Sequence, residues 1–153
     1  MIPKKLLTII VLVLFSASSS VSWAQMNATI VWDEIKHIAS ENGYKISALI
    51  NQSENGINIT DFSLINKATE TSEVATVEID LLDIQILERS DGSVEIRPDY
   101  GQEITIKLYE GGEVSSFVLK PLSDNTTMVI SGEVGAPAFQ MNSSLFGLQL
   151  IEY

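Results

Sequence analysis

The chain has 153 residues, of which 45% are hydrophobic and 19% charged, with no cysteine, one histidine and a formal net charge of −11. These values are typical of a single globular domain and exclude the disordered and collagen-like classes. Without cysteine, a disulfide scaffold, thiol catalysis and cysteine-ligated zinc are also excluded. Because phosphate binding requires clustered lysine and arginine, and the basic residues of the main domain are scattered singly, we expect no nucleic-acid partner.

The N-terminal residues have the pattern of an export signal. Two lysines precede an apolar run over residues 6–15, and small polar residues follow up to Ala24. A bilayer span needs about 20 residues, so the run favours a cleavable signal peptide at 1–24 over a membrane anchor. Retention of this segment is the alternative that the sequence leaves undecided. We predict one β-rich domain at 25–153 without a transmembrane segment. An exported chain without cysteine fits a periplasmic location.

Residues 26–43 have the spacing of one amphipathic helix. Asn27 is placed to cap its N-terminus, and Gly43 supplies the residue that commonly ends a helix. The apolar positions recur every three or four residues, which puts them on one face. They are Ala28, Val31, Trp32, Ile35, Ile38 and Ala39.

After the helix, the apolar residues alternate with a period of two, and turn sequences recur every eight to twelve residues. This pattern predicts a mainly β (α+β) fold, in which the helix precedes a curved antiparallel meander of about nine strands. Within 74–88 the apolar parity changes at Leu81 and Leu82, which predicts a bulge or a change of the buried face. The predicted strands are 44–50, 57–65, 74–88, 94–96, 104–108, 114–119, 126–131, 138–141 and 145–151.

A single helix covers only part of such a sheet, so the sheet must curl or leave a groove. An apolar groove between helix and sheet would suit a lipid or another apolar ligand. Packing in the core is the ordinary role of such side chains, and the sequence does not separate the two roles. The candidate groove residues are Trp32, Ile104, Ile106, Leu108, Phe117 and Leu119.

Few residues suggest other chemistry. His37 lies on the polar side of the helix without a predicted partner, as expected of a surface histidine. Glu78, Asp80 and Asp83 could bind calcium through carboxylate oxygens, but charged residues on a solvent-facing strand are far commoner. Five Asn-x-Ser/Thr triplets would be glycosylated only in a eukaryotic secretory pathway. We therefore predict no catalytic residues, no metal site and no cofactor.

The order of these features resembles a family of exported alphaproteobacterial proteins, domain of unknown function 2125. The resemblance lies in the segment Trp32-Asp33-Glu34-Ile35, in the strand starts after Gly43 and Gly56, and in the hairpin with the Asp91-Gly92 turn. It implies an envelope location and a curved β architecture, with a loose likeness to proteins that hold lipids in β-grooves. It brings no known activity. The chain stops at Tyr153 within a strand-like pattern, so we expect either a fully docked last strand or a chain shorter than its relatives.

Two functions follow as alternatives. The first is a non-enzymatic periplasmic protein that binds a lipid or other apolar ligand in the groove. The second is a protein-interaction or envelope-assembly module that uses an exposed strand edge, expected at residues 145–153. An enzyme is the least expected function, since the sequence lacks the usual pairs of base and nucleophile.

Overall fold

The computed structural model describes residues 26–66, 76–122, 125–133, 136–143 and 147–152. Within them the chain forms one helix and ten antiparallel strands in one open sheet, so the predicted mainly β fold is confirmed. The predicted signal peptide and most of the polar loop at 66–72 lie outside the described residues. No helix in the described part is long and apolar enough to span a bilayer.

The elements follow the predicted order. Helix α1 is Ala28–Glu41, and the strands are β1 Tyr44–Ser53, β2 Gly56–Asn66, β3 Thr76–Asp80, β4 Ile84–Glu88, β5 Val94–Pro98, β6 Ile104–Glu110, β7 Glu113–Pro121, β8 Thr127–Glu133, β9 Ala136–Asn142 and β10 Leu148–Glu152. Nine strands become ten because the single strand predicted at 74–88 leaves the ladder at residues 81–83. Of the two predicted alternatives, the change of the buried face is confirmed, because Ile79 before the break and Ile84 after it are both buried, and it coincides with a break between β3 and β4.

Both ends of helix α1 form as the sequence predicts. At the N-terminus, Asn27 Oδ1 accepts a hydrogen bond from the Ile30 amide at 2.9 Å. Glu88 of β4 adds a second cap, since its Oε1 accepts from the Ala28 amide at 2.9 Å. Gly43, with φ of 81°, follows the helix in a conformation that glycine adopts without steric cost. All six apolar residues of the predicted face are buried.

The sheet order is β10-β7-β6-β3-β2-β4-β5-β8-β9, with β1 paired to β2. Both β3 and β4 pair with the same strand, β2, and the register continues across their break. Ile65 faces Glu78 in β3, and six residues back along β2, Ile59 faces Ile84 in β4. Strands β3 and β4 are thus two halves of one long strand.

The same relation repeats further along the meander. Strand β6 lies beside β3 and is followed by β7 and β10, whereas β5 lies beside β4 and is followed by β8 and β9. The chain passes from one half to the other at residues 81–83 and 99–103, and again between Pro121 and Thr127 and between Asn142 and Leu148. We call this line of interruptions the crease. It divides one wide meander into two wings.

The crease also passes through β2, where Asp61 has φ of 50° and its amide donates to Asp83 Oδ1 at 3.1 Å. Asp83 is held from the other side by Gln102, which donates to Oδ2 at 2.7 Å and accepts from the Asp83 amide at 2.8 Å. These bonds replace ladder pairing where the strands are interrupted.

One hydrophobic core joins the two wings and the helix. Helix α1 packs mainly on β1, β2 and β4. Trp32 of the helix meets Phe62 of β2 edge to face, with the ring centroids 5.5 Å apart. The most completely buried side chains come from the sheet itself and include Ile59, Ile79, Ile86, Ile106 and Val94. The core face of the sheet is the face that carries these residues.

Candidate functional site

The six predicted groove residues all face the core. Trp32, Ile104, Ile106 and Leu119 are 1–5% exposed and belong to the hydrophobic cluster, while Leu108 and Phe117 are partly buried against it. Two clefts among the described residues, of about 510 and 460 Å³, are lined by other side chains. The structure therefore places these six residues in packed positions, and an apolar ligand among them stays a prediction.

The larger cleft lies on the crease, on the side of the sheet opposite the core face. Cross-strand pairing aligns Asn51, Asn58, Gln85 and Arg97 in one polar row across four strands. Arg97 is bound by Glu95, whose Oε1 accepts from Nη2 at 2.8 Å. A row of amides beside an internally paired cation is typical of a solvated sheet face, and Thr60, Asp83 and Asp99 line the same cleft.

Of the three acidic residues considered for calcium, Glu78 and Asp80 share Lys107 and Asp83 lies apart from them. Lys107 Nζ lies 3.0 Å from Asp80 Oδ2 and 3.5 Å from Glu78 Oε1, while Asp83 is bound to Gln102 at the crease. The hydrogen bond to Asp80 raises the pKa of Lys107 above its usual value. The Tyr109 hydroxyl donates to Glu78 at 2.9 Å. In the described part of the chain, no three histidine or carboxylate side chains are placed to hold a metal ion.

His37 lies on the exposed side of the helix, as predicted, where its Nε2 is 3.2 Å from Glu41 Oε1. Both side chains are more than half exposed to solvent. The pair is therefore a surface contact between successive helical turns.

A third feature of the described structure is an edge strand with exposed apolar side chains. Strand β9 pairs with β8, and no described residue pairs with its other edge. Phe139 faces Ile130 and Met141 faces Met128 across the ladder, so both point to the core face. Ile130 and Met128 are buried, yet Phe139 is 38% exposed and Met141 46%. Among the described residues, the core face thus continues onto β9 without a cover.

Strand β10 continues this surface beyond the crease. Leu150 faces the buried Leu119 and is itself 48% exposed. On the opposite face of β9, Gln140 and Asn142 are exposed and joined by a hydrogen bond of 3.2 Å. We call the unpaired side of β9 and β10, with Phe139, Met141 and Leu150 on its core face, the apolar edge.

Over residues 134–151 the apolar edge lacks the charged residues that usually protect an edge strand, although it carries a proline and a register irregularity. In a chain with 20 acidic and 9 basic residues, residues 134–151 carry no charge. Edge strands in soluble proteins usually carry charged residues, bulges or prolines that prevent pairing with another chain. Here Pro137 stands at one end of β9, and the register irregularity lies in β10, after Leu150.

The opposite edge of the sheet, β1, exposes Leu49 and Ile50 but is protected over part of its length. It carries Lys45 and a bulge between Ser47 and Leu49, and helix α1 packs against it. Sequence reasoning placed an exposed edge at residues 145–153 and missed β9, which carries Phe139 and Met141. The signal that was present in the sequence was the uncharged run at 134–151.

Comparison with protein-family models, with curated proteins and with solved structures found no match to this chain. The resemblance to the domain of unknown function 2125 family therefore stays a prediction.

Proposed function

We propose that this chain is an exported, non-enzymatic protein-interaction module that binds an extended segment along the free side of β9. The observation that carries the proposal is the pairing of Phe139 and Met141 with buried core residues while both remain exposed at an unpaired, uncharged edge. The proposed location is the periplasm, supported by the export pattern at residues 1–24 and by the absence of cysteine.

An added strand satisfies two requirements of this edge together. Its backbone would pair with the outward N–H and C=O groups of β9, and its alternate side chains would cover Phe139 and Met141. Covering the exposed part of each apolar side chain would contribute on the order of 1 kcal/mol. The segment would therefore carry apolar residues at every second position and polar residues between them, to lie beside Gln140 and Asn142.

A lipid or apolar ligand in the groove requires more rearrangement. Trp32 and Ile106 would have to leave packed positions, in which they are 3% and 1% exposed. Removing such contacts costs several kcal/mol, whereas strand addition at β9 uses a surface that is already open. This difference favours the interaction module. Organic extraction of the natively purified chain, followed by mass spectrometry, would measure any bound lipid directly.

Photo-crosslinking in the natural host tests the proposed edge. A photoreactive residue replaces Gln140 in the full chain, which is expressed with its own N-terminal segment. We expect crosslinks to one discrete segment, from this chain or another envelope protein, and loss of the crosslinks when Met141→Lys is added. Val114→Lys is the matched control, because Val114 is 57% exposed but lies beside the turn between β6 and β7.

The mapped segment decides the result. Alternating apolar residues in the crosslinked peptide would support strand addition. Crosslinks scattered over many proteins, or crosslinks that survive Met141→Lys as well as they survive Val114→Lys, would overturn the proposal.

A further inference from the structure

We infer that the segment received by β9 is β9 of a second copy of this chain, in an antiparallel pair with two-fold symmetry centred on Gln140. This inference rests on the proposed function of the apolar edge and names its partner. It requires that the strand be complementary to itself in sequence, face and charge.

The sequence of β9 meets the first requirement. When Gln140 faces its own copy, Phe139 of one chain faces Met141 of the other, and the same contact recurs by symmetry. Thioether sulfur and aromatic rings pack favourably, and both side chains lie on the core face. On the opposite face, Ala138 lies across from Asn142. This register pairs apolar with apolar on the core face.

Neighbouring registers fit less well. A pair centred on Phe139 would place Met141 against Pro137, which has no amide to donate. A pair centred on Met141 would place Phe139 against the polar Ser143 at the end of the strand. Centring on Gln140 pairs Phe139 with Met141 twice and sets neither of them against Pro137 or Ser143.

Charge favours the same surface. Two copies that each carry a formal net charge of −11 repel one another, and the repulsion is weakest where the facing surfaces are neutral. Residues 134–151 contain no charged side chain, whereas β1, at the opposite edge of the sheet, carries Lys45 and a bulge. Added salt screens the remaining repulsion over about 10 Å at 0.1 M, so the pair should tighten as ionic strength rises.

The two-fold arrangement also closes on itself. Pairing β9 with β9 uses the same edge in both copies and leaves β1 outside the interface. Pairing β9 with β1 of the next copy would be heterologous and would extend into a filament. The inference therefore specifies a dimer.

A single introduced cysteine tests the register, because the natural chain has none. Directly opposed residues in an antiparallel pair have Cα atoms about 4.5–5.5 Å apart, which is within disulfide range. Gln140→Cys should therefore link two copies under mild oxidation. In Ala138→Cys the two thiols would be four positions apart along the strands, about 13 Å, and should not link. The double variant Ala138→Cys with Asn142→Cys should link again.

We expect at least about fivefold more disulfide-linked dimer for Gln140→Cys than for Ala138→Cys, given the narrow distance range of the bond. Light scattering on the purified natural chain should give twice the monomer mass, and Met141→Lys should return it to a monomer while Val114→Lys does not. Far-UV circular dichroism of each variant verifies that it has folded.

Three outcomes would overturn the inference: a natural chain that stays monomeric at about 100 μM, far above the dissociation constant of a physiologically useful dimer; equal linking at positions 138 and 140; or filaments in place of dimers. A monomer whose Gln140 position still crosslinks to an alternating segment of another protein would refute the second copy as the partner and leave the proposed function standing. A monomer without such crosslinks would refute both.

Discussion

Trp32 distinguishes a packed core from a ligand groove, because the two roles predict different effects of the same substitution. The side chain is 3% exposed, and its ring meets Phe62 edge to face at 5.5 Å. A core tryptophan replaced by alanine typically lowers the free energy of unfolding by about 3–5 kcal/mol, through lost burial and the cavity left behind. A groove tryptophan replaced by alanine would mainly weaken ligand binding.

The expected loss for Trp32→Ala is well within that range, about 4 kcal/mol, because the ring is almost fully enclosed and has an aromatic partner. With a urea dependence of about 2 kcal/mol per molar, the unfolding midpoint should fall by about 2 M. Unfolding is followed by far-UV circular dichroism, since the substitution removes a fluorophore. Protein concentration is held constant, because dimer formation would make the midpoint depend on it.

Two further variants control this measurement. Trp32→Phe should cost only about 1 kcal/mol, because the indole Nε1 has no hydrogen-bond partner among the described residues and its removal relieves an unsatisfied donor. Leu49→Ala should cost about 0.5 kcal/mol or less, because Leu49 is 58% exposed. If Trp32→Ala lowers the free energy of unfolding by less than about 1 kcal/mol, the core role of Trp32 is refuted and the ligand-groove hypothesis is favoured.

Three other substitutions test contacts that hold the helix and the central strands together. Gly56→Ala should lower the free energy of unfolding by about 2 kcal/mol or more, because φ is 148° and a Cβ atom would lie 2.0 Å from the Ile86 carbonyl oxygen. Urea unfolding measures the loss. The control Gly111→Asn should show a much smaller loss, because nothing lies within 4 Å of a Cβ atom at that position. Glu88→Ala should cost about 1–3 kcal/mol in the same assay, because it leaves the buried Ala28 amide without its acceptor, whereas Glu88→Gln keeps an acceptor and should cost about 0.5 kcal/mol. Lys107→Met should cost up to about 1 kcal/mol at neutral pH. Since the folded-state pKa of Lys107 is raised, the stabilisation from its ion pair is complete below the unfolded-state pKa and is lost as pH rises through the folded-state pKa. The free energies of unfolding of natural chain and variant should therefore converge in strongly alkaline solution. A constant difference across pH would contradict the ion pair with Asp80.

Local patterns predicted the elements well because each reports a local property. The spacing of apolar residues gave the buried face of α1, and the change of parity at Leu81 and Leu82 located the break between β3 and β4. Asn27 was recognised as the helix cap from its side chain and position alone. These features depend on residues close together in the sequence.

The crease was beyond the reach of such patterns. It exists because the breaks between β3 and β4, β5 and β6, β7 and β8, and β9 and β10 lie next to one another, and that alignment depends on the register between strands far apart in the chain. The same limit explains why the sequence could not decide whether the candidate groove residues line a ligand site or pack in the core. Alternation shows that Ile104 and Ile106 share a face with Leu119, but the period is the same whether that face is covered by other side chains or by a ligand.

The apolar edge follows from how much of the sheet one helix can cover. A helix about 10 Å in diameter spans about two strands, which lie about 4.8 Å apart. Helix α1 packs mainly on β1, β2 and β4, yet Ile96 of β5 and Ile130 of β8 are buried as well, so other residues of the hydrophobic cluster cover the part of the core face that the helix does not reach. That cover stops before the last strand, since the sheet is open and no described strand pairs β9 with β1. Phe139 and Met141 are left exposed in consequence, and pairing with a strand from outside the chain is the arrangement that would bury them without rebuilding the core.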